Sequence, residues 1–155
     1  MSSLVGTYDC KLDSKNRLAV PSGLLKQFPP ENDGRFVINR GFETHLKLYT
    51  SAEWESIRQN VDALNRFDPK VRRFVRNFYN YASGLQLDSS NRLLIPKPLL
   101  EYAAIQNELV IYCLGSEIEI WNPELYIREN AMSPQEFSDS AADLLANLPP
   151  AQHEE

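Results

Sequence analysis

Cysteine is scarce in this sequence, and long apolar runs are missing from it. The chain of 155 residues has two cysteines, Cys10 and Cys113, without CxxC spacing, so neither a disulfide framework nor a zinc site is expected. We expect both to be small buried hydrophobic residues. No apolar run reaches the ~18 residues of a membrane span, and the chain does not begin with a basic segment followed by an apolar one. We therefore expect a soluble, cytoplasmic protein with no membrane partner.

Motifs of catalysis are also absent. The sequence has no HExxH, no phosphate-binding glycine loop and no GxSxG. His45 alternates with Leu46 and Leu48, which favours a half-buried strand residue over a catalytic base. The other histidine, His153, lies in the last residues of the chain, which we expect to be disordered. We expect a non-enzymatic protein with no catalytic residue, metal, cofactor or small-molecule substrate.

Net positive charge is lacking overall, but charge is unevenly distributed along the chain. The formal net charge is −5 and the sequence pI is near 5.1, which argues against a protein that binds a polyanion through a wholly basic surface. Residues 1–80 hold 13 Lys and Arg against 9 Asp and Glu, a net +4, whereas residues 81–155 hold 3 against 12, a net −9. Such asymmetry indicates either contact with a polyanion or association of unlike surfaces, and does not choose between them.

The most specific feature that the sequence does contain is an internal repeat. Residues 12–25 recur as residues 87–100, and nine of these fourteen positions are identical. The similarity continues to Gly41 and Gly115, and to residues 46–49 and 118–121. One half of the chain has therefore been duplicated, and the two copies are expected to do the same job.

Each copy is predicted to form a hairpin from an incoming strand, a short loop and a return strand. Asp13 can accept a backbone N–H two residues on, and Asn16 tolerates the left-handed conformation of a three-residue loop. Asp88 and Asn91 repeat this chemistry. The predicted incoming strands are residues 6–12 and 83–87, and the predicted return strands are residues 17–20 and 92–95. A second strand pair is predicted in each half: residues 35–39 with 45–49, and residues 108–113 with 117–121.

Helical patterns lie between the copies and after them. Thr50 and Asp68 are predicted N-caps of two connecting helices, and Ser133 is the predicted N-cap of a C-terminal helix. The predicted division of the chain is a first half-repeat (residues 4–54), connecting helices (residues 55–82), a second half-repeat (residues 83–128), a C-terminal helix (residues 129–148) and a disordered tail (residues 149–155).

The basic residues of the two loops are candidate contacts to a polyanion. Arg17 and Arg92 begin the return strands, and Lys15 lies at the tip of the first loop. A guanidinium suits both phosphate oxygens and guanine edges, and a two-stranded ribbon can enter the major groove of DNA. The alternative is structural, because Arg17 could pair with Asp13, and Arg92 with Asp88, simply to hold the loop. The local sequence by itself slightly favours this structural alternative.

The densest positive cluster lies in the second connecting helix. Its basic residues, which fall opposite an apolar stripe, are Lys70, Arg72, Arg73 and Arg76. A solvated helix face is the ordinary explanation of such a pattern. Pairing with the acidic half of a neighbouring subunit is its main rival.

The doubled motif Leu-Asp-x-x-Asn-Arg-Leu-x-[Val/Ile]-Pro, with Arg40-Gly41-Phe42 between its copies, closely resembles the MraZ family. The resemblance implies an α+β fold, a duplicated swapped-hairpin, AbrB-like, pseudo-two-fold β-barrel with peripheral helices, in which each half is a SpoVT/AbrB-like repeat. It implies that the loop arginines, Arg17 and Arg92, bind DNA, and we expect Lys15, at the tip of the first loop, to be a DNA-binding residue with them. The residues that structure the loops are then Asp13, Asn16, Asp88 and Asn91.

The resemblance also implies a function, because members of that family are transcriptional regulators. It implies a ring-like homo-oligomer that binds double-stranded DNA at repeated operator sites of the division and cell-wall gene cluster, cytoplasmic and associated with the nucleoid. Asn16 and Asn91 stand where the family commonly has Gly, and both can still adopt the left-handed turn. The second loop has Ser90 opposite Lys15 and belongs to the acidic half, so we expect it to bind DNA weakly or mainly to assist assembly. The alternative is a protein-interaction module, an antitoxin-like barrel that sequesters another protein, with the C-terminal helix around Phe137 and Leu144 as its docking element.

Overall fold

The computed structural model describes residues 3–149. These residues form two units, which meet between Leu125 and Tyr126 along the chain. The predicted disordered tail, apart from its first residue, and His153 lie outside the described residues. The strands are β1 (Leu4–Lys11), β2 (Arg17–Ala19), β3 (Arg35–Arg40), β4 (Leu46–Thr50), β5 (Ser83–Gln86), β6 (Arg92–Leu94), β7 (Glu108–Gly115) and β8 (Glu117–Trp121). The helices are α1 (Ser22–Leu25), α2 (Ser51–Asp62), α3 (Pro69–Asn80), α4 (Lys97–Tyr102), α5 (Pro123–Asn130) and α6 (Pro134–Ala146), and Pro30–Asn32 forms a 3-10 turn.

The strands form one large sheet and one small ribbon. Six strands are joined antiparallel in the order β1-β7-β8-β4-β3-β5, and β2 pairs antiparallel with β6. The α+β class is confirmed, and so are the predicted pairs β3 with β4 and β7 with β8. The predicted barrel is not closed, because β1 and β5 remain the two edges of the large sheet. The swapped-hairpin description stays a prediction.

Each copy was predicted to pair its incoming strand with its own return strand, and this prediction is wrong. Between β1 and β2 the contact is one isolated bridge, from Leu12 to Leu18. The incoming strand β1 pairs instead with β7 of the second copy, and the incoming strand β5 pairs with β3 of the first copy. The return strands β2 and β6 pair with each other, so that Leu18 lies opposite Leu93. Two copies of one sequence offer equivalent pairing surfaces, and the local pattern cannot say which copy supplies the partner.

The main core lies between the ribbon, the large sheet and the short helices α1 and α4. Leu18 and Leu93 are fully buried from the ribbon, and Ile38, Leu46 and Ile111 are fully buried from the sheet. Alternation explains this pattern, since successive side chains of a strand point to opposite faces. Burying the inner face of the ribbon fixes its outer face toward solvent, where Arg17 and Arg92 begin the strands.

The connecting helices α2 and α3 are capped as predicted. The hydroxyl of Thr50 accepts from the Glu53 backbone N–H at 3.3 Å, and the Asp68 carboxylate accepts from the Lys70 backbone N–H at 2.8 Å, with Pro69 at the first helical position. Val61, Val75 and Phe78 make a second small core with Trp54. The Asn39 side-chain amide donates to the carbonyl of Phe78 at 2.7 Å, which fixes the end of α3 against β3.

The second unit contains α6, and α5 runs from the first unit into it. The Ser133 hydroxyl accepts from the Glu136 backbone N–H at 3.1 Å, as the capping motif predicts. Helix α5 was not predicted from the sequence, and its signal is Asn122, whose side-chain oxygen accepts from the Glu124 N–H at 2.9 Å. Across residues 3–149 no helix combines the length and the apolar character that a membrane crossing needs.

Candidate nucleic-acid interface

The first loop is held by one carboxylate. Asp13 Oδ1 accepts from the backbone N–H of Lys15 and of Arg17, each at 2.9 Å, and Asp13 Oδ2 accepts from Arg17 Nε at 2.7 Å. The Asn16 N–H donates to the Asp13 carbonyl at 3.1 Å, and Asn16 has φ +60°. The predicted turn chemistry is therefore confirmed, because Asn is one of the few residues that adopts this conformation readily.

The second loop repeats these contacts. Asp88 Oδ1 accepts from the N–H of Ser90 at 2.8 Å and of Arg92 at 2.9 Å, and Asp88 Oδ2 accepts from Arg92 Nε at 2.9 Å. Asn91 has φ +58° and donates its N–H to the Asp88 carbonyl at 3.0 Å. The duplicated motif therefore produces a duplicated structure.

Both carboxylates are held in the ionised state. The hydrogen bond from the backbone N–H of Arg17, followed by the Arg17 side chain and the Lys15 N–H, holds the pKa of Asp13 below its usual range. The backbone N–H of Arg92, the Ser90 N–H and the Arg92 side chain do the same to the pKa of Asp88. At neutral pH each loop therefore carries a fixed Asp–Arg ion pair.

Each ion pair positions its arginine without using all of its donors. The Asp13 carboxylate accepts from Arg17 Nε. The two terminal nitrogens of Arg17 have no protein partner among the residues described. Arg92 Nη1 approaches Asp13 Oδ2 at 3.8 Å, which ties the second loop to the first. The structural role and the binding role that the sequence left open are therefore compatible, since the guanidinium keeps further N–H donors directed at solvent.

The ribbon brings the two loops to one surface. The Val20 N–H donates to the Asn91 carbonyl and the Ile95 N–H donates to the Asn16 carbonyl, both at 3.0 Å. With Leu18 and Leu93 turned inward, the residues on the outer face are Arg17, Ala19, Arg92 and Leu94. Two arginines thus flank a short antiparallel ribbon, a shape that fits the major groove of duplex DNA.

Two residues of this surface were missed from the sequence. Lys97 is exposed and follows Ile95 by two residues, so it lies near the first loop, which Ile95 contacts through Asn16. Leu94 is 59% exposed and lies opposite Arg17 in the ribbon. The signal for both was the repeat, because they are Ser22 and Ala19 in the first copy and mark where the copies have diverged.

The remaining candidates lie elsewhere. His45 is buried, precedes β4 and stacks on Trp121 with ring centroids 4.6 Å apart, so the half-buried strand position predicted for it is wrong. His45 Nε2 lies 3.2 Å from Glu119 Oε2, and this contact, with a hydrogen bond from Trp121, holds the pKa of Glu119 below its usual range. His45 is a packed residue of the core edge.

The two cysteines are half-buried and not fully buried as predicted. They contact the margin of the main core from β1 and β7. Burial raises the pKa of the Cys10 thiol to about 11, with Asp9 adding to the rise, and burial also raises the pKa of Cys113. Both thiols therefore stay protonated and poorly nucleophilic at neutral pH.

The basic face of α3 is solvent-facing, as its pattern indicates. Lys70, Arg73 and Arg76 are exposed and have no ion-pair partner within residues 3–149. Arg72 instead donates to the carbonyls of Arg66 and Phe67, each at 3.0 Å, and holds the turn before the helix.

Comparison with known proteins gives the same family for both halves. The family model described as "MraZ protein, putative antitoxin-like" matches the chain twice, at residues 3–77 and 78–147. The transcriptional regulator MraZ of Christiangramia forsetii is 38% identical over 95% of this chain and 96% of its own length. Proteins with the same name from Cytophaga hutchinsonii and Clostridium acetobutylicum are 36% and 33% identical, over 94% and 83% of this chain and 97% and 88% of their own lengths. With both halves matched and nearly the whole chain aligned, this protein belongs to the MraZ family.

Proposed function

We propose that this protein is a non-enzymatic transcriptional regulator that binds double-stranded DNA at specific sequences. It acts as a ring-like homo-oligomer on repeated operator sites of the division and cell-wall gene cluster, in the cytoplasm and at the nucleoid. The observation that carries the proposal is the pair of matched loops on one ribbon, each with an arginine held at Nε, and with both outer nitrogens of Arg17 open. The relatives' name, transcriptional regulator, supports it.

Arg17, Arg92 and Lys15 are the proposed contacts to DNA, and Asp13, Asn16, Asp88 and Asn91 are the proposed loop-structuring residues. An arginine that keeps its outer nitrogens available can donate two parallel hydrogen bonds to a guanine edge. Its Nε is already bonded to the carboxylate, so its orientation is fixed before DNA arrives and less entropy is lost on binding. Lys15 and Lys97 add sequence-independent contacts to phosphate.

Each ring subunit is proposed to supply one such ribbon from a swapped-hairpin domain made of both half-repeats. We propose residues 4–54 and 83–128 as the half-repeats, residues 55–82 as the connection, and residues 129–148 as a separate C-terminal helix. One subunit offers only a few positive contacts, so its affinity for DNA is low. Several subunits on neighbouring repeats raise the affinity through effective concentration.

The direct test compares Arg17→Ala with Arg92→Ala on a duplex that the wild-type protein selects from a random DNA pool. Arg17→Ala should abolish binding in a gel shift, because a bidentate Arg–guanine contact is worth about 1–3 kcal/mol and the loss recurs in every subunit. Arg92→Ala should weaken binding less, since its loop carries Ser90 in place of Lys15.

Arg35→Ala is the matched control, because Arg35 is an exposed arginine on β3, outside both loops. It should bind as the wild type does. Circular dichroism should show all three variants folded. Binding by Arg17→Ala at wild-type affinity contradicts the proposed DNA interface.

The second candidate function is a protein-interaction module that sequesters another protein. It is favoured by the exposed apolar stripe of α6, where Phe137 is 69% and Leu144 is 68% exposed. Salt distinguishes the two functions, because phosphate contacts make log affinity fall steeply with log salt concentration, whereas an apolar contact is nearly insensitive to salt. Binding of a protein partner that Phe137→Asp removes, with no DNA selected from the pool, would favour this candidate.

A further inference from the structure

Helix α6 carries an apolar stripe that is exposed and that its own unit does not cover. Phe137 and Leu144 are 69% and 68% exposed, and their spacing of seven residues places them on one side of the helix. A helix of 13 residues is marginal in water without tertiary contacts. The stripe therefore requires a partner surface.

The charges beside the stripe restrict what that partner can be. Helix α6 contains three acidic residues and no basic one, and Glu136 and Asp143 lie at its flank, seven residues apart. A second α6 would bring like charges together, which is unfavourable. The partner surface should be apolar and basic.

Helix α3 and the turn before it supply such a surface. Within α3 there are four basic residues and no acidic one. Phe67 is 92% exposed and Phe74 is 40% exposed, and Lys70 and Arg73 lie beside Phe74 without an ion pair among residues 3–149. These four residues are here called the basic patch.

A cleft next to the basic patch could accommodate a side chain from another subunit. It has a volume of about 110 Å³ and is lined by Phe42, Phe74, Phe78 and Tyr102, with Arg40 at its wall. Phe42 is itself 70% exposed. Arg40 donates to the Asn77 carbonyl at 2.8 Å and lies 4.2 Å from the ring of Tyr81, so the wall of the cleft is anchored to α3. An apolar side chain from outside would cover these rings.

We propose that α6 of one subunit packs on the basic patch of a second copy of this chain. The contact joins Phe137 and Leu144 to Phe74 and the cleft, and Glu136 and Asp143 to Lys70 and Arg73. It rests on the self-association included in the proposed function and adds the two surfaces that meet. Because these surfaces differ, the contact is head-to-tail, and repeated use of it generates a closed ring or an open filament.

The test uses charge reversal on each surface, with mass measured by sedimentation velocity. The patch variant is Lys70→Glu with Arg73→Glu, and the stripe variant is Glu136→Lys with Asp143→Lys. Each should run as a monomer where the wild type is an oligomer. A variant with all four changes restores opposite charges and should recover most of the wild-type mass, which a merely misfolded variant would not do.

Mixing the two charge-reversal variants distinguishes a head-to-tail contact from a symmetric one. In an equimolar mixture the native α6 of the patch variant meets the native basic patch of the stripe variant, and the two reversed surfaces also carry opposite charges. The mixture should therefore recover alternating oligomers that neither variant forms alone. A symmetric contact between two α6 helices would instead leave the patch variant fully assembled. That outcome overturns the proposal.

Two controls keep the outcome interpretable. Lys26→Glu with Arg35→Glu makes the same charge change at exposed residues that belong to neither α3 nor α6 and should keep the wild-type mass. Phe137→Asp removes an apolar side chain from the stripe and should also give monomers. An acidic residue near a helix N-terminus favours the helix itself, so loss of α6 would not explain that result.

The remaining outcomes overturn the proposal in distinguishable ways. If the patch variant keeps the wild-type mass and loses DNA binding, α3 is a DNA contact. If the wild type is a monomer whose unfolding temperature the patch variant lowers, α6 packs within its own chain. The Arg17→Ala gel shift measures DNA recognition by the ribbon separately, so failure of the α6 contact and failure of the proposed DNA interface give different results.

Discussion

The two loops of the ribbon have the same geometry and different surroundings. Corresponding hydrogen bonds of Asp13 and Asp88 agree within 0.2 Å, and Asn16 and Asn91 differ by 2° in φ. The first loop nevertheless carries Lys15 at the tip and contacts the chain just before Lys97, whereas the second carries Ser90. The copies have kept the chemistry that shapes the loop and changed the chemistry that can attract a phosphate.

The turns that follow β3 and β7 correspond in sequence but differ in packing. Gly41 begins the turn between β3 and β4 and is buried against the imidazole of His45. Gly115 ends β7 at φ +78°, and a Cβ built there would meet only Ser3 Oγ, at 3.7 Å. One glycine is required by a close neighbour, and the other is required by its backbone conformation.

Alanine at the two glycines should give the largest difference between the halves. In Gly41→Ala the new Cβ would lie 2.1 Å from His45 Nε2, and the buried imidazole, stacked on Trp121, cannot move away easily. We expect a loss of about 3 kcal/mol in the free energy of unfolding. Gly115→Ala should lose about 1 kcal/mol, from backbone strain alone. Urea denaturation measures both, and equal losses would contradict the difference in packing.

Valine at the two loop asparagines should give a smaller loss that is equal in both halves. A β-branched residue at φ near +60° is strained by about 1–2 kcal/mol, and Asn16 and Asn91 have nearly the same φ. Asn16→Val and Asn91→Val should therefore lower the free energy of unfolding by the same amount. Asn16→Gly and Asn91→Gly are the controls and should cost little, because glycine adopts this conformation without strain. Unequal valine effects would mean that the loops are not equivalent.

Exchange of the loop-tip residues should give the smallest effect, and it concerns DNA binding alone. Lys15→Ser should weaken binding a few-fold and reduce the slope of log affinity on log salt concentration by about 1 per ribbon. Ser90→Lys should do the reverse if the second loop faces the same DNA. Fluorescence anisotropy across a salt series measures both slopes. An unchanged slope for Ser90→Lys would place the second loop away from DNA, and thermal unfolding should be the same for both variants.

Much of the local structure followed from residues a few positions apart. Asp13 with Asn16, and Asp88 with Asn91, predicted loops that form as expected, because each loop closes with its own side chains. The helix caps at Thr50, Asp68 and Ser133 were predicted for the same reason. Lys97 was missed because its proximity to the first loop depends on the hydrogen bond between Ile95 and Asn16, which belong to different copies.

The sequence by itself determined the family, the duplication, the strands, the loop shapes and the uneven distribution of charge, since each depends on residue type and short-range spacing. Only the tertiary structure decided that β1 pairs with β7, β5 with β3, and β2 with β6, so that each half completes the other. The physical reason is that both copies carry the same apolar alternation, and a strand in one copy fits the partner in either. Long-range packing of the shared core selects between these partners, and that selection places Arg17 and Arg92 on one ribbon.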